Sequence, residues 1–187
     1  MMTKNELRTQ IKVSLKEAKS TLPAESERIC KKLLATKAYR ECNCVLAYMA
    51  LFDEVDLSFV MENALKDGKK VYIPRVVPDS SDMDFFRYDE DSEIACGSFG
   101  IDEPDSNGEK FLLEKRDENI LVLVPGRAFT ADGKRLGRGK GYYDKYLGDL
   151  IRCDPKNLNL IGVCFPLQVV EDLPVEDHDI KMDEVVC

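Results

Sequence analysis

The sequence predicts a three-layer α/β/α sandwich around a mainly parallel sheet, Rossmann-like in organisation. Three observations predict it. Residues 44–50, 119–124 and 158–165 are continuous apolar runs without alternation, as expected of strands buried on both faces. Segments with helical spacing lie around them, such as Leu7, Ile11, Leu15 and Ala18. A basic glycine-rich stretch follows the second run, where open α/β sheets hold their ligands. At 187 residues one domain, 1–187, has length enough for a real core.

The elements follow in order. Thr3 and Glu6 form a capping box that opens the first helix. Lys4, Arg8, Lys12 and Lys16 recur every four residues along it. They read as a solvated basic face, or as a stripe whose first turn reaches a bound anion. Pro23 suits a helix start, and 24–36 continues as the second helix. Residues 44–50 make the first buried strand. Asp56 caps a helix over 57–66, and Gly68 closes it. Strands follow at 71–75 and 84–88, and 89–118 reads as a polar, loop-rich stretch. The strand at 119–124 ends in Pro125-Gly126. A short helix over 142–150 carries Tyr143, Tyr146, Leu147 and Leu150 on one face, and the strand at 158–165 comes after it.

Net charge is −8, which excludes a general nucleic-acid or membrane-surface binder. Against that background, 127–145 carries six cations and two acids, a local patch suited to a small anion. The seven cysteines are odd in number and scattered, with no CxxC, and His178 is the sole histidine. That argues for reduced thiols rather than a disulfide framework or a zinc site. Charge begins at Lys4 without an apolar signal core, and no run reaches membrane-span length. The expected location is the cytoplasm, and the expected state a monomer with no nucleic-acid or membrane partner.

The most informative segment is Arg135-Leu136-Gly137-Arg138-Gly139-Lys140-Gly141-Tyr142-Tyr143-Asp144. Alternate glycines let a backbone expose N–H groups to a ligand. Arg138 and Lys140 supply charge-assisted donors for phosphate oxygens, and Asp144 a hard oxygen for Mg²⁺. It is not a P-loop, because Gly141 follows Lys140 where Ser or Thr is required. It is not a dinucleotide fingerprint, because Tyr142 stands where the third glycine belongs. The acidic tail from Glu176 to Glu184 reads as solvated surface or as a source of further metal ligands. A small-molecule kinase and a nucleotide-binding module would use the same cradle. A nucleic-acid reader stacking bases on Tyr142 and Tyr143 conflicts with the acidic charge.

Several ordered blocks together resemble the 5-formyltetrahydrofolate cyclo-ligase family: Lys4-x-x-Leu7-Arg8, Glu54-Val55-Asp56, Tyr72-x-Pro74-Arg75, Gly100-Ile101-x-Glu103-Pro104, Val124-Pro125-Gly126 leading into 135–144, and Leu173-Pro174-x-Glu176-x-His178-Asp179. The resemblance implies a fold related to sugar-phosphate isomerases and CoA transferases. It implies ATP bound by Arg135, Leu136, Gly137, Arg138, Gly139, Lys140, Gly141, Tyr142 and Tyr143, helped by Lys4 and Arg8. Mg²⁺ would sit on Asp144 and Asp179. The substrate 5-formyltetrahydrofolate, polyglutamylated or not, would contact Glu54 and Met49, the latter reading equally as strand core. Arg138, Lys140 and Tyr143 would be the catalytic residues. The implied reaction is ATP-dependent closure to 5,10-methenyltetrahydrofolate, with no general base assigned. Arg127 stands where the family tends to have a small apolar residue, and Thr130 replaces a frequent Asp.

Overall fold

Helix α1 (Lys4–Glu17) begins where the capping box predicts. Glu6 N donates to Thr3 Oγ1 at 3.3 Å, and Thr3 N donates to Glu6 Oε2 at 2.8 Å. The chain continues through α2 (Leu22–Ala35), α3 (Lys37–Glu41), β1 (Cys44–Leu46), α4 (Ser58–Lys66), β2 (Lys70–Val76), β3 (Met83–Tyr88), β4 (Ile94–Cys96), β5 (Asp102–Pro104), β6 (Asn119–Pro125), β7 (Ala128–Thr130), β8 (Arg135–Leu136), α5 (Tyr142–Arg152), β9 (Asn157–Val163), β10 (Val169–Val170) and β11 (Glu184–Val186). This computed structural model describes residues 2–78, 80–92, 94–97, 102–104, 108–114, 118–153, 157–174, 176 and 179–187. Phe99, Gly100, Ile101 and His178 lie outside the described residues.

The central sheet has the order β11-β9-β6-β1-β2-β3. All its pairings are parallel except β2 with β3. Alternate residues of the central strands face opposite layers. Val45, Val71, Ile73, Leu121, Leu123, Ile161 and Val163 pack with α1 to α4. Cys44, Leu46, Tyr72, Ile120, Val122, Val124 and Leu160 pack with Tyr146, Leu147 and Leu150 of α5 and with Phe85 and Phe111. Two covered faces explain why these strands show no polar alternation. Each fully buried aliphatic side chain stabilises by about 1.5–3 kcal/mol, so α1 is held chiefly by Leu7, Ile11 and Leu15. Lys12 and Lys16 stay exposed, while Lys4 and Arg8 are half-buried. Among the described residues, no helix is long and apolar enough to cross a membrane.

Three expectations change. The first strand stops at Leu46 rather than residue 50. Ala47 N still donates to Tyr72 O at 2.9 Å, but then the chain turns over the sheet edge, closed by Tyr48 Oη donating to Val55 O at 3.0 Å. Ala47 and Tyr48 are as buried as a strand's residues, and Met49 and Ala50 are apolar although less covered, so apolar content alone could not separate the two. Helix α4 starts at Ser58, and Asp56 serves it by accepting from Ser58 N at 2.9 Å. The polar stretch 89–118 contains an antiparallel β4–β5 pair. A second small sheet, β10-β7-β8, occupies the ground between β6 and the glycine loop. Four buried cysteines (30, 42, 44 and 164) take part in no disulfide among the described residues.

The β7–β8 hairpin turns at Gly133, whose φ is +93° and whose missing Cβ would lie 2.2 Å from Met182 O. Gly68 has φ +72° but open space around it. Gly133→Ala should therefore lose about 1–3 kcal/mol of stability from backbone strain, with the clash added, and more than Gly68→Ala. Urea midpoints of the two variants check this, and equal losses would remove the role given to the Met182 contact.

Candidate active site

A cavity of about 680 Å³ opens across the carboxyl ends of β6, β1 and β2. Every residue singled out as a ligand from the sequence lines it: Lys4, Arg8, Met49, Glu54, the whole of 135–144, and Asp179. They come from α1, the segment after β1, the β8–α5 connection and the C-terminal segment.

The glycine loop rests on Arg135. That residue is 7% exposed and lies on strand β8 rather than in a free loop. Its Nη2 donates to Asp144 Oδ1 at 2.7 Å and its Nη1 to Pro125 O at 3.3 Å. Its guanidinium also lies 5.8 Å from the centre of the Tyr143 ring. A Cβ at Gly137 would come within 3.0 Å of Arg135 Nη1, so the glycine lets the loop lie directly on the arginine. Above it, Gly139 (φ +101°) and Gly141 (φ +75°) adopt conformations that other residues rarely take, and Gly141 is the N-cap of α5. Arg8 Nε donates to Gly137 O at 2.9 Å and ties α1 to the loop.

The cations differ in how they are held. Lys4 Nζ lies 2.9 Å from Asp179 Oδ2 and 3.0 Å from Glu176 Oε1. Burial works against its charge, but hydrogen bonds to Asp179 and Glu176 outweigh that and raise its pKa above 10.5. Arg138 donates from Nε to Glu54 Oε1 at 2.8 Å and from Nη2 to Asp53 Oδ1. Lys140 is exposed and forms no ion pair with any described residue. Tyr143 is half-buried. Desolvation of its hydroxyl, then the Glu54 anion, push the phenol well up, with Arg135 opposing. It is a neutral donor at neutral pH.

Asp53 was not expected. It is 1% exposed and joins Arg138 to Arg127, whose Nη1 donates to Asp53 Oδ2. Burial works against the Asp53 anion, but Arg138 and Arg127 outweigh it and hold its carboxyl below 3.8. Nothing in the local sequence marks Asp53, because its partners stand 74 and 85 positions away. Arg127 thus has a structural partner at the cavity wall. Thr130 lies behind the wall, where its hydroxyl bonds Asp132 and accepts from Lys134 N within the β7–β8 turn.

The donor set fits Mg²⁺ carried on a polyphosphate. Such an ion takes one or two carboxylates, with phosphate and water supplying the rest. Asp144 spends only Oδ1, on Arg135 and weakly on Ile180 N. Its Oδ2 faces no described partner. Asp179 stands on the same cavity. Among the described residues, no cluster of three acids, cysteines or histidines could hold a metal unaided.

A parallel sheet whose carboxyl edge carries a cavity, with a cationic glycine loop on one side and a largely apolar wall on the other, is the arrangement of an α/β enzyme. The chain belongs to the 5-formyltetrahydrofolate cyclo-ligase family, whose model matches residues 1–187. A mouse 5-formyltetrahydrofolate cyclo-ligase is 30% identical over 193 residues, covering 99% of this chain and 95% of the relative. The solution structure of a 5,10-methenyltetrahydrofolate synthetase from Aquifex aeolicus superposes with a TM-score of 0.79 at 31% identity, covering 99% of this chain and 89% of that one. The corresponding Mycoplasma pneumoniae synthetase gives 0.72 at 26% identity, covering 99% and 98%.

The Asp53 pair generates a pH prediction. A carboxyl with a lowered folded pKa stabilises the fold above its unfolded value, near pH 4, and that stability is lost as pH falls through the folded value. Asp53→Asn should cost about 3 kcal/mol at pH 7, where it leaves the largely covered Arg127 without its carboxylate. Its deficit against the unaltered protein should shrink below about pH 4. Urea denaturation at pH 7 and pH 3.5 tests this. A deficit that stays constant would show that Asp53 does not act through its charge.

Proposed function

We propose that the cavity binds Mg²⁺-ATP and a reduced folate side by side and converts 5-formyltetrahydrofolate to 5,10-methenyltetrahydrofolate, with release of ADP and phosphate. Residues 1–187 would act as one domain in this. One observation carries the reading: the cationic glycine loop and the apolar wall bearing Glu54 and Met49 share a single cavity. The two substrates can therefore meet without a domain movement.

The chemical difficulty explains the arrangement. The formyl oxygen is a poor leaving group as oxide. Its attack on the γ-phosphorus expels ADP and leaves a phosphorylated oxygen on the formyl carbon. N10 then bonds to that carbon, the C–O bond breaks, phosphate departs, and the N10 proton is lost. Phosphoryl transfer asks the protein for position and charge neutralisation rather than for a nucleophile. Mg²⁺ on Asp144 and Asp179 would offset charge on the phosphates. Lys140, exposed and without an ion pair among the described residues, would follow the γ-phosphate as it moves. Arg138 is pre-oriented by Asp53 and Glu54, and a donor held in place needs little reorganisation as charge develops. Tyr143, kept neutral, donates a hydrogen bond without adding charge.

The direct test follows absorbance of the methenyl product in purified protein with (6S)-5-formyltetrahydrofolate. Its growth should require both ATP and Mg²⁺. ATP hydrolysis without that band would discard the folate. Lys140→Ala should lower kcat/KM on the order of 10²–10³-fold with the thermal midpoint unchanged, and full activity would sink the phosphate-clamp role. Asp144→Asn should shift the Mg²⁺ titration to higher concentration, and a superimposable titration would place the metal elsewhere.

A further inference from the structure

The same cavity holds a second buried carboxylate, on the side away from the glycine loop. Glu103 is 7% exposed and lines the cavity beside Pro74, Val76 and Met83. It sits on β5, which packs on β2 and β3, whereas the loop follows β6 on the other side of β1. We propose that Glu103 accepts the paired N3–H and 2-amino donors of the substrate's pterin ring, and so sets which heterocycle the site takes. The inference rests on the folate reading above.

Unused acceptor capacity is the first reason. An ionised carboxylate offers about four lone-pair sites. Among the described residues, Glu103 Oε1 accepts only from Val76 N, at 3.4 Å, beyond the usual range for N–H···O. Its Oε2 lies 3.9 Å from Arg75 Nε, close enough for charge but not for a hydrogen bond. Arg75 is held there because its Nη1 donates to Pro104 O at 2.8 Å. The arginine therefore offsets the charge and leaves the oxygens open. A buried carboxylate so poorly bonded is costly, and a ligand bringing two parallel N–H groups removes that cost. The pterin edge has this geometry, much as a guanidinium does toward carboxylates.

The comparison with Glu54 is the second reason. Glu54 already accepts from Leu51 N at 3.0 Å and from Arg138 Nε at 2.8 Å, one bond on each oxygen. Of Glu54 and Glu103, it is Glu103 that has room for a bidentate donor. Its apolar neighbours suit a flat heterocycle, and its charge repels phosphate, so this end is closed to the ATP tail. Gly97 supports the placement. A Cβ there would come within 2.3 Å of the Glu103 carboxylate, so any larger residue displaces the carboxylate rather than the backbone.

Titration calorimetry on the full chain tests the proposal, using ATP, 5-formyltetrahydrofolate and its 2-desamino analogue as separate ligands. Glu103→Ala should weaken 5-formyltetrahydrofolate by about 10- to 100-fold, the worth of a charge-assisted pair, and leave ATP binding within about two-fold. Glu103→Gln should lose nearly as much, because its amide turns a donor toward a donor. Gly97→Ala, which keeps the carboxylate but moves it, should weaken the same ligand. The analogue should bind the unaltered protein with a similar deficit, and the two losses should not add in the double cycle. Unchanged folate affinity in Glu103→Ala, or additive losses, would overturn the assignment. Weakened ATP with intact folate binding would overturn it in favour of ribose hydroxyls. An unaltered protein that binds ATP but no folate would overturn the proposed function itself, and this inference with it.

Discussion

The parallel strands are covered on both faces, and that constraint governs where everything else can stand. Charged side chains have no place along Val45, Leu121 or Ile161, so they gather where the strands end. The carboxyl ends of β1, β2 and β6 lie side by side, and the segments leaving them must turn over the edge. Each turn delivers something different: Asp53 and Glu54 after β1, the Arg75–Glu103 pair beside β2, and the Arg135-supported loop after β6 and its hairpin. The cavity is thus a product of topology before it is a product of any one motif.

Within it, charge is managed unevenly. Arg135 and Arg138 are pinned by carboxylates, whereas Lys140 has none among the described residues. A pinned guanidinium keeps its direction and loses little entropy when a ligand arrives, while a free ammonium adapts to a group that moves. Arg138 and Glu54 are joined across the cavity, so under the proposed function its two halves would be coupled through one carboxylate. A nucleotide that drew Arg138 toward phosphate would free an oxygen of Glu54 for the second substrate. Asp53 limits how far that arginine can travel, and Arg127 keeps Asp53 ionised.

Legibility in the sequence followed the range of the interaction. The capping box at Thr3 and Glu6, the glycine alternation from Gly137 to Gly141 and the buried strand β6 are local patterns, and each stood in the sequence as it stands in the fold. Asp53 was invisible because its meaning lies in two arginines distant along the chain. Glu103 stood in a recognisable block, yet its role depends on how little Val76 and Arg75 give it. The β7–β8 hairpin was hidden because its strands are two or three residues long, too short for alternation to register. Residues 47–50 read as strand because they continue the apolar run of β1, although only Ala47 and Tyr48 are buried and the ladder ends at Leu46.

Helix α1 and the C-terminal segment meet through Lys4 and Asp179, residues 175 positions apart. That closure has a consequence in time. The loop takes support from Arg135 on β8, but the cavity wall is complete only when the first turn of α1 docks against the segment holding Asp179. Contacts of such long separation form late in folding. An intermediate that carries the finished glycine loop without this contact would still lack an enclosed place to hold a ligand.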